Sequence, residues 1–235
     1  MDRIASKDKC TGCAVCSYVC PKSCIKMIEQ GFDGLLPVLD TNDCINCGRC
    51  TSVCPVKTPI KKQSQIEVFA SWHSNVDMRR KCASSGTASA MYHEALVQGW
   101  HIVGAVSVNA LDVEMTLCNN SNSIQDFSSS KYIFSNCEKL YPQLKRTLDD
   151  GRKVLFIGLP CQVAAIHNLF KNKREQMILV DLVCHGTNAK KFLQQHVARI
   201  ESLTKSQVNK VIFREGKDFL IKMLDKNGNV IYSES

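Results

Sequence analysis

Two runs of cysteines near the N-terminus have the residue type and spacing that bind iron–sulfur clusters. The pattern Cys-x-x-Cys-x-x-Cys-x-x-x-Cys-Pro occurs twice, with the copies offset by 34 residues. Three thiolates on one tight loop suit three irons of a cubane, whereas the fourth cysteine ligates the cluster of the other copy. The pattern therefore predicts two [4Fe–4S] clusters, one held by Cys10, Cys13, Cys16 and Cys54, and the other by Cys44, Cys47, Cys50 and Cys20.

The alternatives for these eight cysteines are a disulfide framework or zinc sites. Zinc sites usually contain two Cys-x-x-Cys pairs or a mixture of cysteine and histidine, not triplets followed by Cys-Pro. Residues 3–60 resemble the bacterial two-cluster ferredoxin module, with Gly12 and Gly48 at matching places inside the two loops. Cys24 lies outside both runs, and it is either a small buried residue beside a cluster or a reactive or swapped ligand.

Length, charge and cysteine usage define the broad class. The chain has 235 residues, enough for a further domain with its own core. The formal net charge is +8, which suits an acidic redox partner or a phosphate-bearing cofactor and gives no sign of nucleic-acid binding. Because eight cysteines are assigned to iron, we expect a reducing, cytoplasmic setting. Neither a signal peptide nor a membrane span is expected, since no long apolar stretch is present.

The chain divides into two predicted domains. Residues 1–60 form the ferredoxin-type domain, residues 61–66 are polar and form a linker, and residues 67–235 form the second domain. A first strand is predicted at residues 68–72. The chain stops inside a predicted returning strand at residues 230–235, so we expect that part of a longer parent is missing.

The second domain begins with a helix and a hairpin. Ser84, Ser85, Gly86 and Thr87 precede a helical pattern over residues 88–96, and this start is either a helix cap or an anion site. Strands are predicted at residues 101–108 and 113–117 as an antiparallel hairpin, followed by a mobile loop over residues 119–131 and a helix over residues 141–150.

A strand, helix and strand over residues 153–183 predict a parallel unit. Cys161 follows its first strand and Cys184 its second, so both cysteines lie at the edge where open parallel sheets bind ligands. A helix at residues 189–203 and strands at residues 208–214 and 219–224 follow. We therefore predict an α+β ferredoxin module and then an α/β domain with a mixed, partly parallel sheet.

Four segments of the second domain resemble the family of the beta subunits of coenzyme F-420 hydrogenases and dehydrogenases. They are residues 158–166, 180–186, 84–86 and 130–135. The resemblance implies a flavin-binding reductase domain that uses FAD or FMN, with Ser85, Gly86 and Lys131 as flavin contacts. It also implies a possible third [4Fe–4S] cluster with Cys161 and Cys184 as ligands. Thr87 departs from the second glycine common in the family, and the cysteine-containing C-terminal part of the family is apparently missing.

The leading hypothesis is an iron–sulfur oxidoreductase in which a flavin links the clusters to a hydride donor or acceptor. That partner is a deazaflavin, a nicotinamide or another organic substrate, and no catalytic residue is assigned. The alternatives are an electron-carrier subunit of a larger redox complex and a reductase tied to polysaccharide biosynthesis. A redox partner protein or subunit is expected in each case.

Overall fold

The structure is a computed structural model that describes residues 4–61, 63–215 and 218–235. Residues 1–3 of the predicted ferredoxin domain, Lys62 of the predicted linker, and residues 216–217 of the predicted second domain lie outside the described residues. Within the described ranges, no helix is long and apolar enough to cross a membrane.

The N-terminal region contains two short helices and one hairpin. Its elements are α1 (Val15–Tyr18), β1 (Ile25–Glu29), a 3-10 helix (Gly31–Asp33), β2 (Leu35–Leu39) and α2 (Arg49–Val53). The strands β1 and β2 are antiparallel, and α1 packs against α2. Each helix begins after a residue in the left-handed region, Ala14 at φ 62° and Gly48 at φ 73°, and this conformation turns the chain from the cysteine loop into the helix.

The next region is a five-stranded sheet with helices on both faces. The helices are α3 (Val76–Arg80), α4 (Thr87–Val97), α5 (Ser123–Phe127), α6 (Leu140–Asp149) and α7 (Pro160–Leu169), and a 3-10 helix (Lys171–Gln176) follows α7. The strands are β3 (His101–Ser107), β4 (Val113–Cys118), β5 (Ser135–Asn136), β6 (Val154–Gly158) and β7 (Met177–Asp181). Their order is β5-β4-β3-β6-β7.

Strand pairing makes this sheet mixed, as predicted. The β3–β4 pair is antiparallel, whereas the β3–β6, β6–β7 and β4–β5 pairs are parallel. Because side chains alternate along a strand, Ile102 and Leu155 pack with α4 and α5, whereas Val103 and Phe156 pack with α6 and α7. The sheet is thus covered by apolar contacts on both faces.

The C-terminal region adds a helix and a second, antiparallel sheet. Its elements are α8 (Lys190–Thr204), β8 (Lys210–Glu215), β9 (Asp218–Leu224) and β10 (Val230–Glu234), with strand order β10-β9-β8. Val197 and Ile200 of α8 pack with Val211 and Met223 of this sheet. The helix and strands predicted here are present within one or two residues of the expected bounds.

The ferredoxin-like region packs directly into the core of the larger sheet. Cys13, Val15 and Val53 belong to the same buried cluster as α6 and α7. The hydroxyl of Tyr141, which is fully buried, donates a hydrogen bond of 2.5 Å to the carbonyl oxygen of Cys13. The first cysteine loop is therefore attached to α6 through its backbone.

Two more contacts hold the same interface. The rings of Tyr18 and Tyr141 stack with centroids 5.3 Å apart. On the other copy, the side-chain amide of Asn168, at the end of α7, donates a hydrogen bond of 2.8 Å to the carbonyl oxygen of Thr58. Each cysteine run therefore has its own polar contact with a helix of the larger sheet.

Two local predictions were wrong. Residues 68–72 form neither a helix nor a strand, and Val68, Phe69 and Trp72 are largely exposed, so the short apolar run has no sheet edge to pair with among the described residues. Residues 119–131, predicted to be a loop, contain α5, because the apolar side chain of Ile124 is buried against α4 and β3. In both places, tertiary packing decided the structure more than local sequence did.

The Tyr141 hydrogen bond provides a test of this interface. Tyr141→Phe leaves the Cys13 carbonyl without its buried donor, and we expect a loss of about 1–3 kcal/mol in stability, measured from the urea midpoint of the anaerobically purified chain. The matched control is Tyr232→Phe, whose hydroxyl bonds Glu234 at the surface and which should change stability by less than about 0.5 kcal/mol. Equal effects of the two variants would contradict a special role for Tyr141.

Candidate functional site

The first cysteine cavity lies beneath the loop that precedes α1. Four thiols line it, namely Cys10, Cys13, Cys16 and Cys54. Cys54 comes from the second cysteine run and reaches this cavity from the end of α2, because its backbone is extended where the helix stops. The remaining walls are mostly apolar and include Val15, Met27 and Pro37.

The second cysteine cavity has the complementary composition. Its thiols are Cys20, Cys44, Cys47 and Cys50, and the additional Cys24 also lines it. Cys20 belongs to the first run and is carried across by the end of α1. Each cavity therefore contains three cysteines of one run and the proline-linked cysteine of the other, which is the grouping that two cubane clusters require.

The donor set in both cavities fits a multi-iron centre better than a single ion. In the described part of the chain, no group of three or more His, Cys, Asp or Glu side chains is placed to hold one metal ion. The thiols instead surround a space from four sides. Thiolates in such an arrangement are the ligands of [4Fe–4S] clusters.

Burial controls the protonation of the first-cavity thiols. Burial raises the pKa of Cys13 to about 11 and that of Cys16 to about 12, and neighbouring cysteines raise both further. Burial also raises the pKa of Cys10. At neutral pH these thiols therefore keep their protons until a cation compensates the thiolate charge, so cluster assembly should release protons.

The two cavities differ in their exposure to solvent. Cys13 and Cys54 of the first cavity are buried. Cys47 of the second cavity is exposed, and the neighbouring side chain of Ile45 is 56% exposed. The first cavity thus faces the larger sheet, whereas the second faces solvent.

A third cavity, of about 570 Å³, lies at the edge of the larger sheet, and both Cys161 and Cys184 line it. Cys161 is the second residue of α7, and Cys184 follows β7. Cys10 and Thr11 of the first loop also line it. Burial raises the pKa of Cys161, partly offset by a hydrogen bond with the Thr11 side chain. The topology therefore brings the two predicted cysteines together beside the first cysteine loop.

Gln162 fixes the turn that carries Cys161. Its side-chain oxygen accepts a hydrogen bond from the backbone N–H of Leu159, 3.0 Å away. Its side-chain amide donates to the carbonyl and hydroxyl oxygens of Ser135, at 3.0 and 2.8 Å. Because Gln162 and Ser135 are both buried, these bonds hold the start of α7 to β5.

A fourth cavity, of about 710 Å³, opens at the N-terminus of α4. Ser85, Gly86 and Lys131, the residues predicted to contact flavin, all line it. It also shares Cys184 and Leu159 with the third cavity, so the two spaces adjoin. The structure thus brings the predicted flavin contacts together next to the predicted cysteine pair.

The α4 end of this cavity has unused hydrogen-bonding capacity. Gly86 caps the helix at φ 78° and provides no side-chain acceptor for the first N–H groups. The hydroxyl of Ser89, which is 5% exposed and lines the cavity, has no hydrogen-bond partner in the described protein. A phosphate would satisfy both the helix N–H groups and this hydroxyl.

Lys131 supplies positive charge to the same cavity. Its ammonium donates hydrogen bonds to the carbonyl oxygens of Asp126 and Ser128, at 2.7 and 2.8 Å. Burial lowers the pKa of Lys131 to about 8, although the Asp126 carboxylate opposes the shift. A bound anion would favour the charged form of this lysine.

Sequence reasoning missed three residues at these sites, Thr11, Ser89 and Gln162. Ser89 stands three residues after Gly86 in the first turn of the predicted helix, a position that could have indicated an anion contact. No sequence signal identified Thr11 or Gln162, because their roles depend on partners distant in the chain.

Comparisons with known proteins define first a class, that of iron–sulfur electron-transfer proteins. Residues 9–58 match the family described as "4Fe-4S dicluster domain", and a second family model with the same description matches residues 36–88. The particular family follows from the C-terminal part. Residues 151–234 belong to the family that comprises the C terminus of the beta subunit of coenzyme F420 hydrogenase/dehydrogenase.

Individual relatives agree with this family. The chain is 19% identical to the F subunit of the F(420)H(2) dehydrogenase of Methanosarcina mazei over 232 residues, covering 91% of this chain and 64% of that protein. It is 26% identical to the coenzyme F420-dependent sulfite reductase of Methanocaldococcus jannaschii over 176 residues, covering 72% and 26%. The chain thus spans less than two thirds of the length of either relative.

One solved structure is also similar, a chain of the F420-reducing [NiFe] hydrogenase complex from Methanosarcina barkeri. The TM-score is 0.47 at 21% sequence identity, and the match covers 68% of this chain and 57% of that chain.

Replacing one first-cavity cysteine tests the predicted ligand groups. Cys13→Ser removes one thiolate from the first cavity only, so we expect iron to fall from about eight to about four per chain, measured on anaerobically purified protein. Cys118→Ser is the control, because Cys118 lies on β4 and lines neither cysteine cavity. Unchanged iron in Cys13→Ser would contradict the ligand assignment.

Proposed function

We propose that the chain is an iron–sulfur oxidoreductase that passes electrons between two [4Fe–4S] clusters and a flavin. The flavin exchanges hydride with a deazaflavin, a nicotinamide or another organic substrate. The observation that carries this proposal is a series of adjoining cavities. Cys10 lines both the first cysteine cavity and the third cavity, and Cys184 lines both the third and the fourth.

The eight motif cysteines are the cluster ligands in this proposal. One cluster uses Cys10, Cys13, Cys16 and Cys54, and the other uses Cys20, Cys44, Cys47 and Cys50. The outward-facing second cluster exchanges electrons with a redox partner protein or subunit, because Cys47 and Ile45 bring it to the surface. The inward-facing first cluster exchanges electrons with the larger domain. Thiolate-bound clusters also favour the reducing cytoplasm predicted from the sequence.

The fourth cavity holds the flavin, either FAD or FMN. The N-terminus of α4, with Ser85, Gly86 and Ser89, receives a phosphate, and Lys131 balances its charge. A bound flavin supplies an exchange between one-electron and two-electron chemistry that clusters alone do not provide. Val183, Cys184 and His185, after β7, form part of the opposite wall and limit access from solvent.

The names of two relatives include coenzyme F420, so a deazaflavin is the first hydride carrier to test. Nicotinamide carriers come second, because the geometry of the fourth cavity selects for a planar ring without identifying it. Its walls combine the apolar Ile124, Phe127 and Ile157 with the serines of residues 128–130.

The third cavity is the place for a further iron–sulfur centre. Cys161 and Cys184 would supply two of its ligands, and a [4Fe–4S] cluster needs two more. Its position beside Cys10 and next to the fourth cavity is where such a centre would connect the first cluster with the flavin.

Quantifying iron, sulfide and flavin on one anaerobic sample tests the proposal. We expect about eight irons per chain, or about twelve with a third centre, together with bound flavin that reduced deazaflavin or NADH can reduce. Clusters without flavin after reconstitution would overturn the reductase proposal and favour an electron-carrier subunit.

Lys131 gives the flavin site a predicted pH dependence. Its pKa is lowered to about 8, so the ammonium charge is present below pH 8 and is lost above it. A flavin phosphate keeps its charge over this range. We therefore expect flavin affinity to fall severalfold between pH 7 and pH 9, measured by quenching of flavin fluorescence.

Two variants control this experiment. Lys131→Gln should bind flavin more weakly at pH 7 and show a flat profile, and Ser89→Ala should bind more weakly but keep the wild-type slope. A wild-type slope in Lys131→Gln would assign the pH dependence to another group.

The third centre has its own test. Cys161→Ser should leave the signals of both ferredoxin-type clusters intact while removing about four irons per chain if a third cluster is present. Iron content and electron paramagnetic resonance of the reduced protein measure this. An unchanged iron count would leave Cys161 as a packing residue.

A further inference from the structure

The second cysteine cavity contains a fifth thiol that the predicted ligand set does not use. Cys24 is 6% exposed and lines the cavity together with Cys20 and Cys44. Its sulfur lies 3.3 Å from the sulfur of Cys20, within hydrogen-bond distance. An iron-bound thiolate can only accept a hydrogen bond, so in this pair the S–H donor must be Cys24.

A tight turn holds Cys24 in this position. The backbone N–H of Ser23 donates a hydrogen bond of 3.1 Å to the carbonyl oxygen of Cys20, and Ser23 has a positive φ of 50°. The turn returns the chain beneath Cys20, and Cys24 then leads into β1. On the other side, the backbone N–H of Asp40 donates a hydrogen bond of 2.8 Å to the Cys24 carbonyl oxygen. The contact between the two sulfurs is thus fixed by backbone hydrogen bonds at both ends.

The internal duplication provides a comparison within the same molecule. Thr58 follows Cys54 by four residues, as Cys24 follows Cys20. Its backbone N–H bonds the Cys54 carbonyl oxygen at 2.8 Å. Its hydroxyl, however, donates to the carbonyl oxygen of Thr51 at 2.9 Å and not to the Cys54 sulfur. The two copies therefore differ in the donor that they offer to the proline-linked cysteine.

We propose that Cys24 is a positioning residue that raises the reduction potential of the second cluster by donating its S–H hydrogen bond to the Cys20 sulfur. This inference rests on the proposed cluster ligands. Reduction adds negative charge to a cluster and its thiolates, so a donor at sulfur stabilises the reduced form more than the oxidised form. Because Thr58 offers no equivalent donor, the effect is confined to the second cluster, and the two clusters differ in potential despite their matching motifs.

The test is a redox titration of the cluster-loaded full chain, followed by electron paramagnetic resonance. In Cys24→Ala, one of the two midpoint potentials should move to a more negative value, by an amount equal to a roughly three- to tenfold change in the one-electron equilibrium constant. The other midpoint potential should stay at its wild-type value. Cys24→Ser keeps a hydroxyl donor and should restore most of the shift.

Two further measurements separate hydrogen bonding from ligation and from general disturbance. Thr58→Val is the matched control, and it should leave both potentials unchanged. An exchangeable proton coupled to one reduced cluster should disappear in Cys24→Ala, as measured by electron–nuclear double resonance after transfer to D₂O.

The outcomes are distinguishable. Iron that falls to about four per chain in Cys24→Ala would identify Cys24 as a ligand and overturn the inference. Two unmoved potentials with full iron would also overturn it, while leaving the proposed function intact. A wild-type chain that cannot assemble two clusters would instead refute the proposed function, and this inference with it.

Discussion

The arrangement of the whole molecule depends on the burial of the first cysteine loop against α6 and α7. The loop contributes its backbone to the interface, since the Cys13 carbonyl accepts the Tyr141 hydrogen bond, and its thiols turn away into their own cavity. Burying polar backbone is unfavourable unless it is paired. That single pairing allows the cluster-binding region and the five-stranded sheet to share one apolar core, in place of two domains joined only by a linker.

The same burial makes the two halves of a duplicated motif unequal. The first cavity loses solvent, and burial raises the pKa values of Cys13 and Cys16. The second cavity stays at the surface, with Cys47 exposed. A low-dielectric setting disfavours the added negative charge of a reduced cluster, whereas solvent and hydrogen-bond donors favour it. Identical ligand spacing can therefore produce clusters with different electronic properties, because the surroundings of the ligands are different.

Sequence reasoning succeeded where chemistry is local. The cysteine spacing grouped the thiols into the same two sets that line the two cavities. Apolar alternation predicted β3, β4, β6 and β7, and the parallel β6–β7 pair placed Cys161 and Cys184 at one edge. It failed where the outcome depends on distant contacts. Residues 68–72 have strand-forming side chains but no sheet edge among the described residues, and Ile124 nucleates α5 only because α4 and β3 cover it. Gln162 and Ser89 carry no motif at all.

The adjoining cavities impose an order on any electron route through the chain. The second cysteine cavity is the one that reaches solvent through Cys47, whereas the first is adjacent to the third cavity through Cys10. The third in turn meets the fourth through Cys184 and Leu159. A protein partner would therefore reach the second cluster first, and a small organic molecule would reach the fourth cavity first. Separating these two entrances keeps a reactive hydride carrier away from the protein docking surface, and it explains why a buried cluster, rather than the exposed one, lies against the reductase-like sheet.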